Sequence, residues 1–333
     1  VTIDANRRAS RATGGGGKTA IIVVNYGSTD LLRNNLVKIA TQMRDLQIVV
    51  IDNFSNDANR SQCRTLCAAQ DWVLIESANI GFGSGMNLGV ARAIDSGAQR
   101  FLLLNPDAVI DSDAVDRLIS IVTEDPMTLV SPTVLRPDGT VWFGGSDLYL
   151  RTGNMRSTIK RVPGADPTSI EPWLSGACLM ISEALWIKLD GFRDEYFLYW
   201  EDVDLSYRAR QLGATLLVDT IATAIHDEGG TQEAASGASR AKSPIYYYYN
   251  TRNRLLFAAL NLEPNLVHAW LDNQRQSANE ILLRGGRRQF LHPWKPLSAS
   301  LRGSRDGRRI AKAALAKAAS DNTSAPTRPA SRQ

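Results

Sequence analysis

A chain of 333 residues, 44% hydrophobic and 22% charged with 25 Gly and 13 Pro, has the makeup of an ordinary globular protein, which excludes collagen-like and wholly disordered classes. Its three cysteines, Cys63, Cys67 and Cys178, make no CxxC pair, so neither a disulfide framework nor a zinc cluster is indicated, and no apolar run approaches the roughly 20 residues of a membrane-spanning helix. The net charge of +4 is unevenly spread: residues 284–317 hold ten basic side chains against one acid, Asp306, which leaves about −5 for the remainder.

Residues 1–18 are polar and Gly-rich, lack the apolar core of a secretory signal, and read as a flexible leader, with the cytosol as the default compartment. Within it, ATGGGGKT (12–19) fits a relaxed phosphate-loop pattern, but a strand follows where such a loop needs a helix. Continuous apolar runs at 19–24, 47–51, 72–75 and 101–104 predict strands buried on both faces of a parallel sheet. Stretches of helical length at 30–44, 58–70, 84–97 and 111–124 alternate with them and predict an α/β, doubly wound fold. After Val130 come short segments with turn signals, then helices at 182–189 and about 201–212 and a strand at 215–218. Helical pattern returns over 244–260 and from 264 to about 283, and residues 318–333 have the composition of a disordered end.

In an open α/β sheet, ligands bind beyond the carboxyl ends of the strands. Those ends read Asn25-Tyr26-Gly27-Ser28, Asp52-Asn53, Asn79-Ile80-Gly81-Phe82-Gly83 and Asn105-Pro106-Asp107. Each segment alone suits a turn or helix cap, whereas four in succession at one edge suggest a binding crevice. Asp52 can accept hydrogen bonds from a base or ribose, the Gly-rich turn lets backbone approach a ligand, and Asp107 suits a hard cation. A second cluster, Glu201-Asp202-Val203-Asp204, opens a predicted helix; it reads either as compensation of the helix dipole or, at Asp202, as a general base beside aromatic neighbours. Asp204 and Arg208 are spaced as a helical ion pair, and His226 reads either as a packed histidine or as a ligand.

Taken in order, VVNY (23–26), IDNFSND (51–57), NIGFGSGMN (79–87), LLLNPD (102–107), SGACLMI (175–181), GFRDEYFLYWEDVDLSYRARQLG (191–213), HDEGG (226–230) and YYYYNTRNRLLF (246–257) resemble inverting nucleotide-sugar glycosyltransferases of family 2, in particular their rhamnosyltransferase-like branch. The resemblance implies a GT-A fold over residues 19–240, with a nucleotide-sugar half at 19–130 and an acceptor half at 131–240. A helical extension (241–283) and a basic, partly disordered tail (284–333) follow. It implies a nucleotide-diphospho-sugar donor held by Asn25, Asp52, Asn53, Asn79, Gly81, Phe82, Asn87, Asn105 and Arg252. It also implies Mg2+ or Mn2+ at Asp107 and His226, Asp202 as general base, and Glu201 helping to orient the acceptor. Arg252 and Arg254 either supplement the positive charge at the diphosphate, grip an acceptor phosphate, or serve packing.

The family's DxD motif stands here as Asn105-Pro106-Asp107, one carboxylate short, a form common in the rhamnosyltransferase-like branch. The Q/R-x-x-R-W signature of processive synthases is missing after Gly213, which implies transfer of a single sugar. The expected function is transfer of L-rhamnose from dTDP-rhamnose to a glycan or polyprenyl-linked acceptor in envelope polysaccharide synthesis, with UDP-galactofuranose or a UDP-hexose as alternative donors. A sugar-phosphate nucleotidyltransferase would need a basic Gly-rich loop after the first strand, and a nucleic-acid-binding role rests on the 284–317 segment alone. That segment interleaves Trp294, Leu297 and Leu301 with its basic residues, which predicts a peripheral site on the inner, anionic face of the plasma membrane, with no nucleic-acid partner and with homo-oligomerisation open.

Overall fold

The computed structural model describes residues 17–43, 45–161, 164, 166–227, 242–286 and 294–324. The leader up to residue 16, the end of the HDEGG block and the tail segments 287–293 and 325–333 lie outside the described residues.

The first half alternates as its pattern requires: β1 (Lys18–Asn25), α1 (Thr29–Gln42), β2 (Gln47–Asn53), α2 (Asp57–Ala69), β3 (Val73–Ser77), α3 (Phe82–Asp95) and β4 (Ala98–Leu104). Ala20, Ile21, Ile22 and Val23 of β1 are wholly buried, because β1 lies between β2 and β4 in the sheet and helices cover both faces. Helix starts follow from capping chemistry. The Asn56 side chain accepts from Asn59 N at 2.9 Å at the head of α2, as Asp111 does from Ala114 N at 2.8 Å for α4 (Ser112–Glu124).

The second half adds β5 (Ala108–Ile110), β6 (Thr128–Leu135), β7 (Val141–Phe143), β8 (Ser146–Tyr149), β9 (Asn154–Ser157), β10 (Ile170–Trp173), β11 (Cys178–Ser182), α5 (Glu183–Leu189), α6 (Glu201–Gln211) and β12 (Thr215–His226). Among the described residues one nine-stranded sheet runs β3-β2-β1-β4-β11-β6-β12-β5 with β7 beside β6, and a three-stranded sheet runs β10-β8-β9. The main sheet is mixed, because β11 enters antiparallel between β4 and β6.

The sequence predicts a strand only over 215–218, whereas the chain continues it as the single strand β12 to His226. Its register against β6 slips between Asp219 and Thr223, where Asp219 Oδ1 accepts from Ile221 N at 2.9 Å and Ala222 N at 2.6 Å. Beyond this bulge β12 pairs antiparallel with β5, and His226 falls opposite Ala108, next to Asp107.

Among the described residues four helices follow: α7 (Pro244–Asn261), α8 (Pro264–Asp272), α9 (Gln274–Leu283) and α10 (Trp294–Ser324). The single helix expected over 264–283 is two, separated at Asn273. Much of the expected basic tail is helix α10, which packs along α7 with Ala299, Gly303, Gly307 and Ala311, small residues four apart. A Cβ at Gly307 would lie 2.9 Å from the Arg252 carbonyl, so the two helices touch through their backbones.

Candidate active site

The strand ends of β1, β2 and β4, the turn after β3 and the end of β12 meet along one edge of the main sheet. Asn25 and Asp52 are register partners, and Asn25 Nδ2 lies 3.5 Å from Asp52 Oδ1 while its own Oδ1 accepts from Ser28 N at 2.9 Å. Asp52 is fully buried and is balanced by Arg60 of α2, whose Nε donates to Asp52 Oδ2 at 2.5 Å. The same guanidinium bonds the Ser77 carbonyl and lies 4.6 Å from the centre of the Phe54 ring. Arg60 was not singled out from sequence; its position eight residues beyond Asp52, on the helix that packs back across β2, carries no motif.

Asn53 uses its amide inside the protein: Nδ2 donates to the Gly81 carbonyl at 2.8 Å and Oδ1 accepts from Ser77 Oγ at 3.0 Å. It therefore shapes the turn expected to hold the donor, and its polar atoms are committed there. Asn79 is exposed and accepts from Gly81 N at 3.3 Å. Gly81 has φ +91°, and a Cβ there would collide with the Phe197 carbonyl, so glycine is required on both conformational and steric grounds. Phe82 N donates to that carbonyl at 2.7 Å, and the Phe82 ring meets Phe192 edge-on.

Two residues assigned to the donor by resemblance are engaged elsewhere. Asn87 donates to the Phe192 carbonyl at 2.8 Å and accepts from Phe192 N at 2.9 Å, pinning the segment that leads to the acidic cluster. Arg252, on α7, uses one guanidinium nitrogen, Nη1, to bond the Glu195 carbonyl at 2.9 Å and Asn253 Oδ1 at 2.5 Å. Arg254 is buried under Trp270 and bonds the Trp270 carbonyl and Gln274 Oε1 at 3.1 and 2.9 Å. Burial pushes its guanidinium down to about 9 against the weaker upward pull of Glu280, and its hydrogen bonds tie it to the packing around Trp270.

The turn at residues 105–107 is held from two sides. Asn35 Nδ2 donates to the Pro106 carbonyl at 2.8 Å, and Asn105 N donates to the Ala177 carbonyl at 2.9 Å. Beyond it, the buried pair Asp107 and His226 approach to 3.0 Å between Oδ1 and Nε2, with Trp142 packed on the imidazole at 4.4 Å between ring centres. A carboxylate and an imidazole so placed are of the donor types that would hold a divalent ion. His226 Nδ1, buried and with no hydrogen-bond partner among the described residues, agrees with a ring whose orientation is set by a bound group. Among the described residues no third His, Cys, Asp or Glu joins them.

The acidic cluster lies on the other side of residues 175–177. Asp202 Oδ2 accepts from Gly176 N at 3.1 Å and Oδ1 from Val203 N at 2.8 Å. Ala177, whose carbonyl holds Asn105, is the next residue, so one short loop carries both the 105–107 turn and Asp202. Glu201 is buried, and its Oε2 has no hydrogen-bond partner among the described residues. Burial, and then the charge of Asp202, push its carboxyl up to about 8, so Glu201 is protonated at neutral pH. Burial also raises Asp202, against which the two backbone N–H groups favour its charged form. Both carboxyls are thus held above their ordinary values, and the backbone donors at Gly176 and Val203 favour charge on Asp202. Asp204 belongs to packing: it accepts from Arg193, Arg208, Tyr196 and Asn261.

A family model described as glycosyltransferase like family 2 matches residues 16–236. The chain belongs to this family. This glycosyltransferase is 27% identical over 250 residues, 71% of its own length and 74% of the relative's, to the low-salt glycan biosynthesis hexosyltransferase Agl10 of Haloferax volcanii. It is 26% identical over 255 residues, 68% of its length and 82% of the relative's, to the N-acetylglucosaminyl-diphospho-decaprenol L-rhamnosyltransferase of Mycobacterium tuberculosis. Among solved structures it is similar to the mannosyltransferase PcManGT of Pyrobaculum calidifontis in complex with GDP-Man and Mn2+, with a TM-score of 0.50 and 17% identity over 94% of this chain and 77% of that one. GalNAc-T7 with UDP, GalNAc and Mn2+ gives a TM-score of 0.52 at 14% identity over 63% of this chain and 44% of that one, less than half of that protein. At such identities the likeness carries the fold, and the expected GT-A-like α/β architecture with a helical C-terminal region is the one observed.

Proposed function

We propose that this glycosyltransferase transfers a single sugar with inversion, L-rhamnose from dTDP-rhamnose, to a glycan or polyprenyl-linked acceptor in envelope polysaccharide synthesis. The observation that carries the reading is the loop at residues 175–177, which holds a charged carboxylate, Asp202, on one side and the turn bearing Asp107 on the other. The sugar preference follows the rhamnosyltransferases among the relatives, whose names include a dTDP-rhamnosyl transferase of Shigella flexneri, 21% identical over 249 residues. UDP-galactofuranose or a UDP-hexose is the alternative donor.

In this mechanism Asn25 and Asp52 hold the nucleoside, while the turn at residues 79–82 covers the donor. Asp202 accepts the proton of the acceptor hydroxyl as that oxygen attacks the anomeric carbon. Protonated Glu201 keeps a second negative charge away from Asp202, so the base stays ionised without like-charge repulsion. Asp107 and His226 would hold Mg2+ or Mn2+, which when bound neutralises the charge that builds on the leaving diphosphate.

A membrane-facing location is part of the same reading. On α10, Trp294, Leu301, Arg305, Arg309 and Lys312 fall on one solvent-exposed face, while Asp306 turns inward to Tyr248 Oη at 3.0 Å. Asp306 also pairs with Arg305 at 3.4 Å, so that face offers two exposed apolar residues and a net positive charge to an anionic leaflet. No helix among the described residues is long and apolar enough to cross a membrane.

The test is a panel of dTDP-rhamnose, UDP-galactofuranose, UDP-glucose and GDP-mannose, scored by thermal shift with Mg2+ or Mn2+ and by turnover. Stabilisation and turnover with dTDP-rhamnose are expected; a response to another sugar nucleotide alone would replace the donor assignment. Asp202→Asn is expected to lower kcat by about 10²–10⁴-fold with donor binding retained, and undiminished turnover would remove Asp202 as the base.

A further inference from the structure

Residues 197–200, immediately before the acidic cluster, hold a backbone that non-glycine residues avoid. Phe197, Tyr199 and Trp200 have φ of +62°, +66° and +76°, and Trp200 starts α6 with no side-chain cap. Such a turn persists only when its surroundings impose it. What imposes it is one side chain from α7. Asn253 is fully buried, and its Nδ2 lies 2.8 Å from the Tyr196 carbonyl, 2.9 Å from that of Leu198 and 2.8 Å from that of Tyr199. The amide cannot be turned over: its Oδ1 takes the Arg252 guanidinium at 2.5 Å, and reversal would aim an oxygen at three carbonyls. Phe197 stacks on Tyr249 of the same helix at 5.1 Å.

The turn is also where the two halves of the site touch. The Phe197 carbonyl accepts from Phe82 N of the donor-side turn, and two residues after Trp200 comes Asp202, seated on Gly176. The helix bearing Asn253 is in turn held by α10, whose Gly303 and Gly307 press on the Tyr248 and Arg252 carbonyls. Both helices lie beyond residue 236, where the family match ends.

We propose that Asn253 is a positioning residue of the transfer site, fixing the strained turn that sets Asp202 opposite the donor, and that α7, braced by α10, is thereby a working part of the enzyme. The proposal rests on the reading of Asp202 as the base. It assigns Asn253 no contact with substrate: its effect on rate passes through the 197–200 backbone.

The full-length chain is compared as wild type, Asn253→Ala, and Asn253→Ala combined with Tyr199→Gly, using steady-state kinetics and amide hydrogen exchange. Asn253→Ala is expected to lower kcat by about 100-fold with donor KM changed by no more than about threefold, since misplacing a catalytic group acts on the chemical step. Exchange should quicken over residues 196–204 and stay unchanged in β1, β2 and β4. Glycine at position 199 tolerates positive φ without a clamp and should restore kcat by about tenfold. Should Asn253→Ala not fold, Asn253→Ser, which keeps a donor on a shorter arm, takes its place in the same comparison. Unchanged kcat in a folded variant, a rise in KM alone, loss of protection throughout the sheet, or no recovery with Tyr199→Gly would each overturn the proposal. Asp202→Asn run alongside separates the two readings: if it turns over normally the base assignment fails, while the exchange pattern of Asn253→Ala still reports on the clamp.

Discussion

Replacing Glu201 with Gln tests the charge assignment at the acidic pair. The carboxyl is 6% exposed, its Oε2 is unpartnered among the described residues, and burial with the neighbouring Asp202 raises it from the ordinary 4.5 to about 8. A carboxyl raised on folding binds its proton more tightly in the folded chain. Its contribution is therefore most favourable below the unfolded value and is lost as pH rises through the folded one. At about 1.4 kcal/mol for each pH unit between the two values, the wild-type chain should lose about 3 kcal/mol between pH 4.5 and 7 and about 5 kcal/mol by pH 9 through this group. Glutamine has nearly the shape of the protonated acid and does not titrate. Glu201→Gln should therefore match the wild type near pH 5 and exceed its stability by several kcal/mol at pH 9, measured by urea denaturation at both pH values with unchanged m. Parallel pH profiles for the two proteins would show that Glu201 is ionised in the folded chain, and the single-charge account of the pair would fall with it.

Two further outcomes are expected. Arg60→Met leaves Asp52 buried without its cation and should cost about 3 kcal/mol in urea denaturation, with much of the loss recovered in Arg60→Met/Asp52→Asn; equal losses in the single and double variants would mean that the pair is not coupled. For the surface of α10, Trp294→Ser/Leu301→Ser should reduce flotation with vesicles rich in anionic lipid while leaving Tm within a few degrees, because both side chains point to solvent. Equal flotation of both proteins would remove the membrane-facing role. Deleting α10 would be a poor substitute for this variant, since the buried Ala299 and Ala311 show that the helix covers part of the interior.

The strands β1, β2 and β4 were legible because each is buried on both faces, which turns a structural position into an unbroken apolar run, whereas β3, expected to be buried likewise, is the half-buried edge strand of the sheet. The edge where Asn25, Asp52, Asn79 and Asp107 gather was legible for the same reason, since strand ends in an open α/β sheet share one side. The short strands β7 to β10 carry too few residues for a period to show. The full length of β12 was hidden by a bulge that only the Asp219 side chain explains. The division of labour among the amide residues was also out of reach. Asn53, Asn87 and Asn253 differ in what surrounds them, and Asn253 acts on a turn more than fifty residues away in sequence.

In the proposed mechanism the loop at residues 175–177 sets the gap between Asp202 and the turn bearing Asp107 with main-chain atoms: the Gly176 N–H faces Asp202 and the Ala177 carbonyl faces Asn105. A gap ruled by backbone tolerates change of side chains far better than change of length. Side-chain substitutions around it can accumulate without moving these main-chain contacts, whereas one inserted residue in this loop would shift Asp202 against the 105–107 turn by about one Cα step, roughly 3.8 Å. The surroundings of this loop can therefore drift by substitution, while its spacing is locked against insertion and deletion.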